Sequence, residues 1–236
     1  MGRIIAIHDV MFSKYNKSIR LIRQVLDYGL LLPASMRDHW KQIGAFDYLA
    51  GDADYVFLSL HGRLEDDFEY GIGLNKSAFW FDAEHLIKLG AIVRDHDLLN
   101  DYQSVAREAA LEIINFDTTG NRYKNIEDYI DVLDLIQCAV KHKVTNRFDP
   151  RAFVDYSGKQ AYLWYKKLSK DGLIAPMLDS VHYALVEYKK QYDHVGRKAL
   201  GALHKAMDDS TDTEILWHGP LPLLYALPES PAFRVK

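Results

Sequence analysis

The chain has 236 residues, with 29 Lys and Arg against 33 Asp and Glu, 48% apolar residues and a formal charge of −4. That apolar share excludes a disordered chain, and the length allows a core that needs no covalent staples. The single cysteine, Cys138, excludes a disulfide framework and a Cys-rich zinc site, and the net acidity argues against a protein that grips duplex DNA mainly by counterion release.

In chain order, RIIAI at 3–7 is a β-branched run and predicts a buried strand. Ile19, Ile22, Val25 and Leu26 fall on one helical face, and Gly29 stands where a helix-ending glycine belongs. Residues 34–54 are polar and irregular. DYVFLSL (54–60) predicts a second strand, 61–73 a loop and SAFWFD (77–82) a third strand. A short helix follows at 82–90, with Asp82 as its cap and Gly90 as its stop. Helices are expected at 104–115, 126–143, 150–168 and 178–207. TEILWHGPLPLLYAL (213–227) reads as a strand, a turn set by Pro220 and Pro222, and a second apolar run.

The expected class is α+β, as one domain over 1–236: an N-terminal α/β part (1–100), a helical insertion (101–210), and a late strand and tail (211–236). The strands at the two ends of the chain must then share a sheet. No run of about 18 apolar residues is present, and four apolar residues before His8 are too few for a signal-peptide core. The expectation is a cytoplasmic protein with no membrane partner.

Three polar residues interrupt apolar strands: His8, Ser59 and Glu214. A polar side chain in such a place needs hydrogen-bond partners or faces a cleft. Each alone has an ordinary structural reading, and the trio in order is more informative than any member. The order is a His-bearing strand (IIAIH), a helix leading to Gly-Leu (IRLIRQVLDYGLLLP), a strand of the form YVFLS, and a Glu opening a late strand. This order resembles the ADP-ribosyltransferase fold, nearest to the DarT-like enzymes, over residues 1–100 and 211–227. The resemblance implies a split sheet of short strands with a large helical insertion between the second-strand region and a C-terminal catalytic strand.

It also implies NAD as cofactor and a nucleic acid or protein as acceptor, with a toxin or phage-conflict role by family analogy. Glu214 is then the catalytic carboxylate. His8 grips a ribose, Ser59 lines the nicotinamide pocket, and Tyr55 or Tyr70 stacks on the nicotinamide ring. Arg37 or Arg63 pairs with the pyrophosphate. His8-Asp9-Val10 stands where many such transferases place Gly or Thr to hold the nicotinamide amide, a departure from the pattern at that clamp; Asp9 is a cofactor-binding candidate by its position alone.

Two alternatives lie outside that resemblance. One is a non-catalytic interaction or nucleotide-binding protein whose working surface is the helical block. A lesser one is a metal phosphohydrolase built on His96 and Asp97, since imidazole and carboxylate suit a divalent ion. Gly71 and Gly73 read as a turn, because no third glycine arrives at dinucleotide spacing. The basic clusters at 141–147 and 189–198 read as solvated helix faces.

Overall fold

A computed structural model of the chain describes residues 3–9, 15–36, 44–63, 78–96, 98–116, 122–145, 156–209 and 213–234. Its elements begin with β1 (Ile4–Asp9), α1 (Tyr15–Tyr28), β2 (Leu30–Leu31), α2 (Ala45–Ala50), β3 (Tyr55–Arg63), β4 (Ala78–Asp82) and α3 (Ala83–Lys88). They continue with β5 (Ile92–Arg94), α4 (Leu99–Asn115), α5 (Val132–Thr145), α6 (Tyr156–Lys170) and α7 (Ile174–Lys189). The last are β6 (Asp193–His194), α8 (Gly196–Asp209), β7 (Glu214–His218) and β8 (Leu221–Pro222). The protein is thus mixed helix and sheet. It divides into two compact units: residues 1–36, 54–97 and 192–236 form one, and residues 37–53 and 98–191 the other.

The first unit is built on a six-stranded antiparallel sheet in the order β4-β1-β3-β7-β5-β6. Strands from both ends of the chain therefore share it. Alternation sorts the side chains onto two faces. Ile4, Ala6, Val56, Leu58, Phe79, Phe81, Val93 and Ile215 are buried on one face under Ile22 of α1, Leu86 and Ile87 of α3, and Ala199 and Leu203 of α8. Each full burial of such a side chain is worth roughly 1.5–3 kcal/mol. This is the core, and it explains why α8 belongs with the sheet and not with the helical block. The other face carries a smaller cluster of Ile5, Ala78, Trp80 and Leu227, with Ile7 packed against it.

Local chemistry sets the ends of these elements. Gly29, at φ +68°, ends α1 in a left-handed conformation that a glycine adopts without strain, and its amide donates to the Val25 carbonyl at 2.9 Å. Asp82 caps α3 by accepting from the His85 amide at 3.0 Å. Leu221 and Leu31 pair in the separate β2-β8 ribbon. The C-terminal segment then covers the outer edge of β4. Leu227 donates to the Trp80 carbonyl at 2.7 Å, and the buried Ser230 hydroxyl accepts from the Trp80 amide at 2.9 Å while donating to the Leu227 carbonyl at 2.6 Å. An edge strand that would otherwise present bare amides is closed in this way.

The second unit is helical, with α4 packed on α7, α5 on α6 and α2 on both α5 and α7. Leu49, Tyr102, Ala106, Ile114, Leu135, Ile136, Val181 and Leu185 are among its buried residues. Asp52 is fully buried in it. It accepts from the Tyr102 hydroxyl at 2.8 Å and from Lys189 Nζ at 2.7 Å, and Lys189 also donates to the Ala50 carbonyl at 2.5 Å.

Two expected helices are divided. The run 178–207 breaks because Asp193 and His194 leave the helix to pair with Arg94 and Val93, and Gly196 follows at φ +56°. The run 126–143 breaks into a 3-10 turn (Ile126–Asp128) and α5, because the Asp131 carboxylate accepts from the Leu133 amide at 2.9 Å and starts a new helix. Among the described residues no helix is long and apolar enough to cross a membrane.

Candidate functional site

The register of the sheet decides which polar residues meet. Ile7 lies opposite Ser59, Ser59 opposite Glu214, Glu214 opposite Arg94 and Arg94 opposite Asp193. Residues directly opposite in antiparallel strands point to the same face, with Cα atoms about 4.5–5.5 Å apart. One row of side chains thus crosses four neighbouring strands: hydroxyl, carboxylate, guanidinium, carboxylate. It lies on the face opposite the helix-covered core. Ser59 is exposed, Glu214 half-buried and Arg94 buried.

Arg94 is held as a bidentate ion pair. Its Nε donates to Asp193 Oδ1 at 2.7 Å and its Nη2 to Oδ2 at 3.1 Å. The planar guanidinium matches the carboxylate fork, which fixes the rotamer as well as the charge. One residue along, and by alternation on the other face with Val93, His194 Nε2 meets Asp95 Oδ2 at 2.9 Å. The row therefore grades from the apolar cluster at β4 and β1, through Ser59 and Glu214, to an ion-paired wall at β5 and β6.

His8 is placed differently from Glu214. It shares the alternation of Ile4 and Ala6 and lies opposite Phe79, so its side chain stands on the helix-covered face, away from Glu214, and the expected grip of His8 on a ribose beside that carboxylate is not formed. Its Nδ1 donates to the Phe57 carbonyl at 2.8 Å, which ties β1 to β3. A β-bulge in the β1–β3 ladder is responsible. Ile4 and Ile5 pair with Arg63 and Gly62, but Ala6 pairs with Leu60, so His61 is passed over. Without that extra residue His8 would stand opposite Ser59; with it, Ile7 does.

Tyr55 shares the face of Ser59, four residues earlier on β3, and its ring meets the His218 ring edge-on with centroids 5.2 Å apart. Asp9 ends β1, opposite Ala78, and Arg63 ends β3, opposite Ile4, in both cases by backbone position alone. Arg37 and Tyr70 lie outside the described residues, as does Asp97 of the metal reading. His96 is described, and its ring lies 5.8 Å from that of Tyr192. Among the described residues no three His, Cys, Asp or Glu side chains are grouped to hold a metal ion.

Two features escaped the sequence reading. AIVRD (91–95) holds a strand of only three residues, too short for alternation to show, yet it brings Arg94 to Glu214. In α6, YSGKQAYLWYKKLSK contains four lysines and no acid, interleaved with aromatics. That signal was visible in composition alone. Cys138 offers no nucleophile: burial pushes its thiol up to about 12, so the reactive thiolate is absent at neutral pH.

No family model, no curated protein and no solved structure matches the chain.

Proposed function

We propose that the protein is an NAD-dependent ADP-ribosyltransferase acting on a macromolecule, nucleic acid or protein, with Glu214 as its catalytic carboxylate. One observation carries this reading. The first strand, the YVFLS strand and the Glu strand are consecutive neighbours, β1-β3-β7, and Ser59 pairs directly with Glu214 on the face away from the core, while His8 stands on the other face and is not part of that pair.

The chemistry suits that pair. Transfer breaks the bond between ribose C1′ and the nicotinamide nitrogen, and nicotinamide leaves with the bonding electrons. The acceptor's nucleophile bonds to C1′ and gives up its proton. Positive charge gathers on the ribose between these events. A half-buried carboxylate beside the ribose stabilises that charge and accepts a hydrogen bond from the 2′-hydroxyl. Ser59 is one strand away, where its hydroxyl can donate to the nicotinamide amide. Tyr55 stands on the same face about 13 Å along β3, too far from Ser59 to touch the same ring, so it is a candidate for another part of NAD. Asp193 fixes Arg94, the cation that lies opposite Glu214 across the β5–β7 ladder. His8 contributes through β3, whose Phe57 carbonyl it anchors two residues before Ser59. Arg63 and Arg37 are the candidates for the pyrophosphate, and Asp9 and Tyr70 complete the cofactor-binding set.

The test is nicotinamide release from NAD, read by chromatography, with thermal melting alongside. The parent protein should release nicotinamide and melt at a higher temperature in millimolar NAD. Glu214→Gln should slow release about 10²–10³-fold with its melt unchanged. Release by the variant at the parental rate removes Glu214 from catalysis. A parent that neither releases nicotinamide nor shifts its melt overturns the reading.

A further inference from the structure

We infer that the helical unit binds a small aromatic anion, one planar ring joined to a phosphate or carboxylate, in a cleft between α6 and the segment that precedes α5. The residues and the readout are separate from those of the transferase reading.

The cleft encloses about 560 Å³, within the ~300–1,000 Å³ typical of small-molecule sites. α6 contributes Gln160, Trp164 and Lys167. They recur four and three residues apart and so share one face of the helix. The segment before α5 contributes Tyr123, Lys124, Asp128 and Tyr129. Asp171, one residue past the end of α6, ties the two sides together. It takes a 2.7 Å ion pair from Arg122 and a hydrogen bond from the Tyr123 hydroxyl. These two donors, the tyrosine first, hold the Asp171 carboxyl below its ordinary range.

The rings are fixed before any ligand arrives. Tyr123 meets the Trp164 ring edge-on with centroids 5.9 Å apart, and Tyr129 lies 5.7 Å away with planes 33° apart. Tyr129 is 67% exposed, so an aromatic face stays open to a further flat ring. A cation is not the occupant, because Lys167 Nζ already stands 4.2 Å above the indole and takes the place where an incoming ammonium would sit. Arg122 is engaged by Asp171, and among the described residues no carboxylate pairs with Lys124 or Lys167. Those two ammonium groups outweigh Asp128, the one acid of the lining, and attract an anion. The Gln160 amide and the Asp128 carboxylate remain for hydrogen bonds to polar substituents of the ring. Tyr162, with Lys166 Nζ 4.5 Å above its ring, stands two residues before Trp164 and on the other flank of α6. That pair does not continue the cleft, so the occupant is a single ring with its charge and not a chain of them.

The test is isothermal titration calorimetry of the full chain at low salt, with adenosine monophosphate and indoleacetate as the two ring–anion probes. Adenosine and inorganic phosphate serve as separated halves. At least one probe should bind once per chain, with affinity falling as salt rises. Binding of adenosine monophosphate alone identifies a nucleotide site, and binding of indoleacetate alone an aromatic carboxylate site. Each half should bind at least about tenfold more weakly than adenosine monophosphate where the nucleotide binds. Tyr129→Ala, a change at an exposed ring, should weaken binding about tenfold. Lys167→Glu should weaken it about tenfold or more, since a cation is replaced by a like charge to the ligand. Lys205→Glu, at an exposed lysine of the sheet unit, should change nothing. Absence of binding by both probes with Kd below about 1 mM, a half that binds as tightly as the whole nucleotide, or parental affinity in both Tyr129→Ala and Lys167→Glu overturns the inference.

Discussion

Both units bury a cation against an aspartate, and the two pairs serve different ends. In the helical unit Lys189 and Tyr102 converge on Asp52, and Lys189 also reaches the Ala50 carbonyl. Those bonds satisfy a turn, and Asp52 is fully buried. In the sheet unit Arg94 is equally well paired, but its neighbour across β7 is Glu214, half-buried, and beyond that Ser59, exposed. A buried charge is therefore not in itself a site. It becomes part of one when strand register continues the polar row out to solvent.

The contrast can be broken by substitution. The largest effect should come from Asp52→Ala, which strands a mostly buried ammonium. Breaking such a pair typically costs about 3–5 kcal/mol, to be read as a lowered midpoint in urea denaturation. A loss under about 1 kcal/mol would mean that Lys189 escapes to water and that the tie is dispensable.

The double variant Arg94→Leu/Asp193→Leu sharpens the other side. Replacing both members of a buried pair by apolar residues is often neutral or stabilising, so its stability should stay within about 1 kcal/mol of the parent. On the proposed transferase reading nicotinamide release should still fall, because the cation opposite Glu214 across the β5–β7 ladder is lost. Unchanged release would reduce Arg94 to a structural role.

The smallest effect concerns Cys138 in the helical unit. Its thiol titrates at about 12 in the folded protein against an ordinary value of 9.0, because of burial. A group whose folded value is raised contributes fully below the unfolded value and loses its contribution as pH rises. Stability should therefore show no Cys138 dependence below pH 9 and should decline between about 9 and 12, with Cys138→Ala removing that part of the decline. Alkylation at neutral pH should await unfolding.

These regions also differ in what the sequence discloses. β1, β3, β4 and β7 announce themselves as β-branched and aromatic runs, and α1 and α3 through Gly29 and Asp82. Ser59 and Glu214 stand out as polar residues in apolar strands. Their direct pairing does not, because register is set by contacts between distant segments. The bulge at His61 is the clearest case: one residue on β3 decides which side of the sheet His8 faces relative to Glu214. β5 and β6, at three and two residues, are too short to show alternation. The ring–lysine pairs of α6, Tyr162 with Lys166 and Trp164 with Lys167, are the opposite case. Their members are three or four residues apart on one helix, so spacing alone displays them.

The strand that completes the sheet is also the last long one to be made. β7 joins β3 on one side to β5 on the other. Synthesis at about 5–20 residues per second leaves those partners waiting on the order of ten seconds after β5 emerges from the ribosome. During that interval β3 shows a row of bare amides and carbonyls to its surroundings, the usual template for aggregation. A nascent chain halted before β7 thus lacks three things at once: Glu214, the missing hydrogen-bond partners and the bridge between the two sheet fragments.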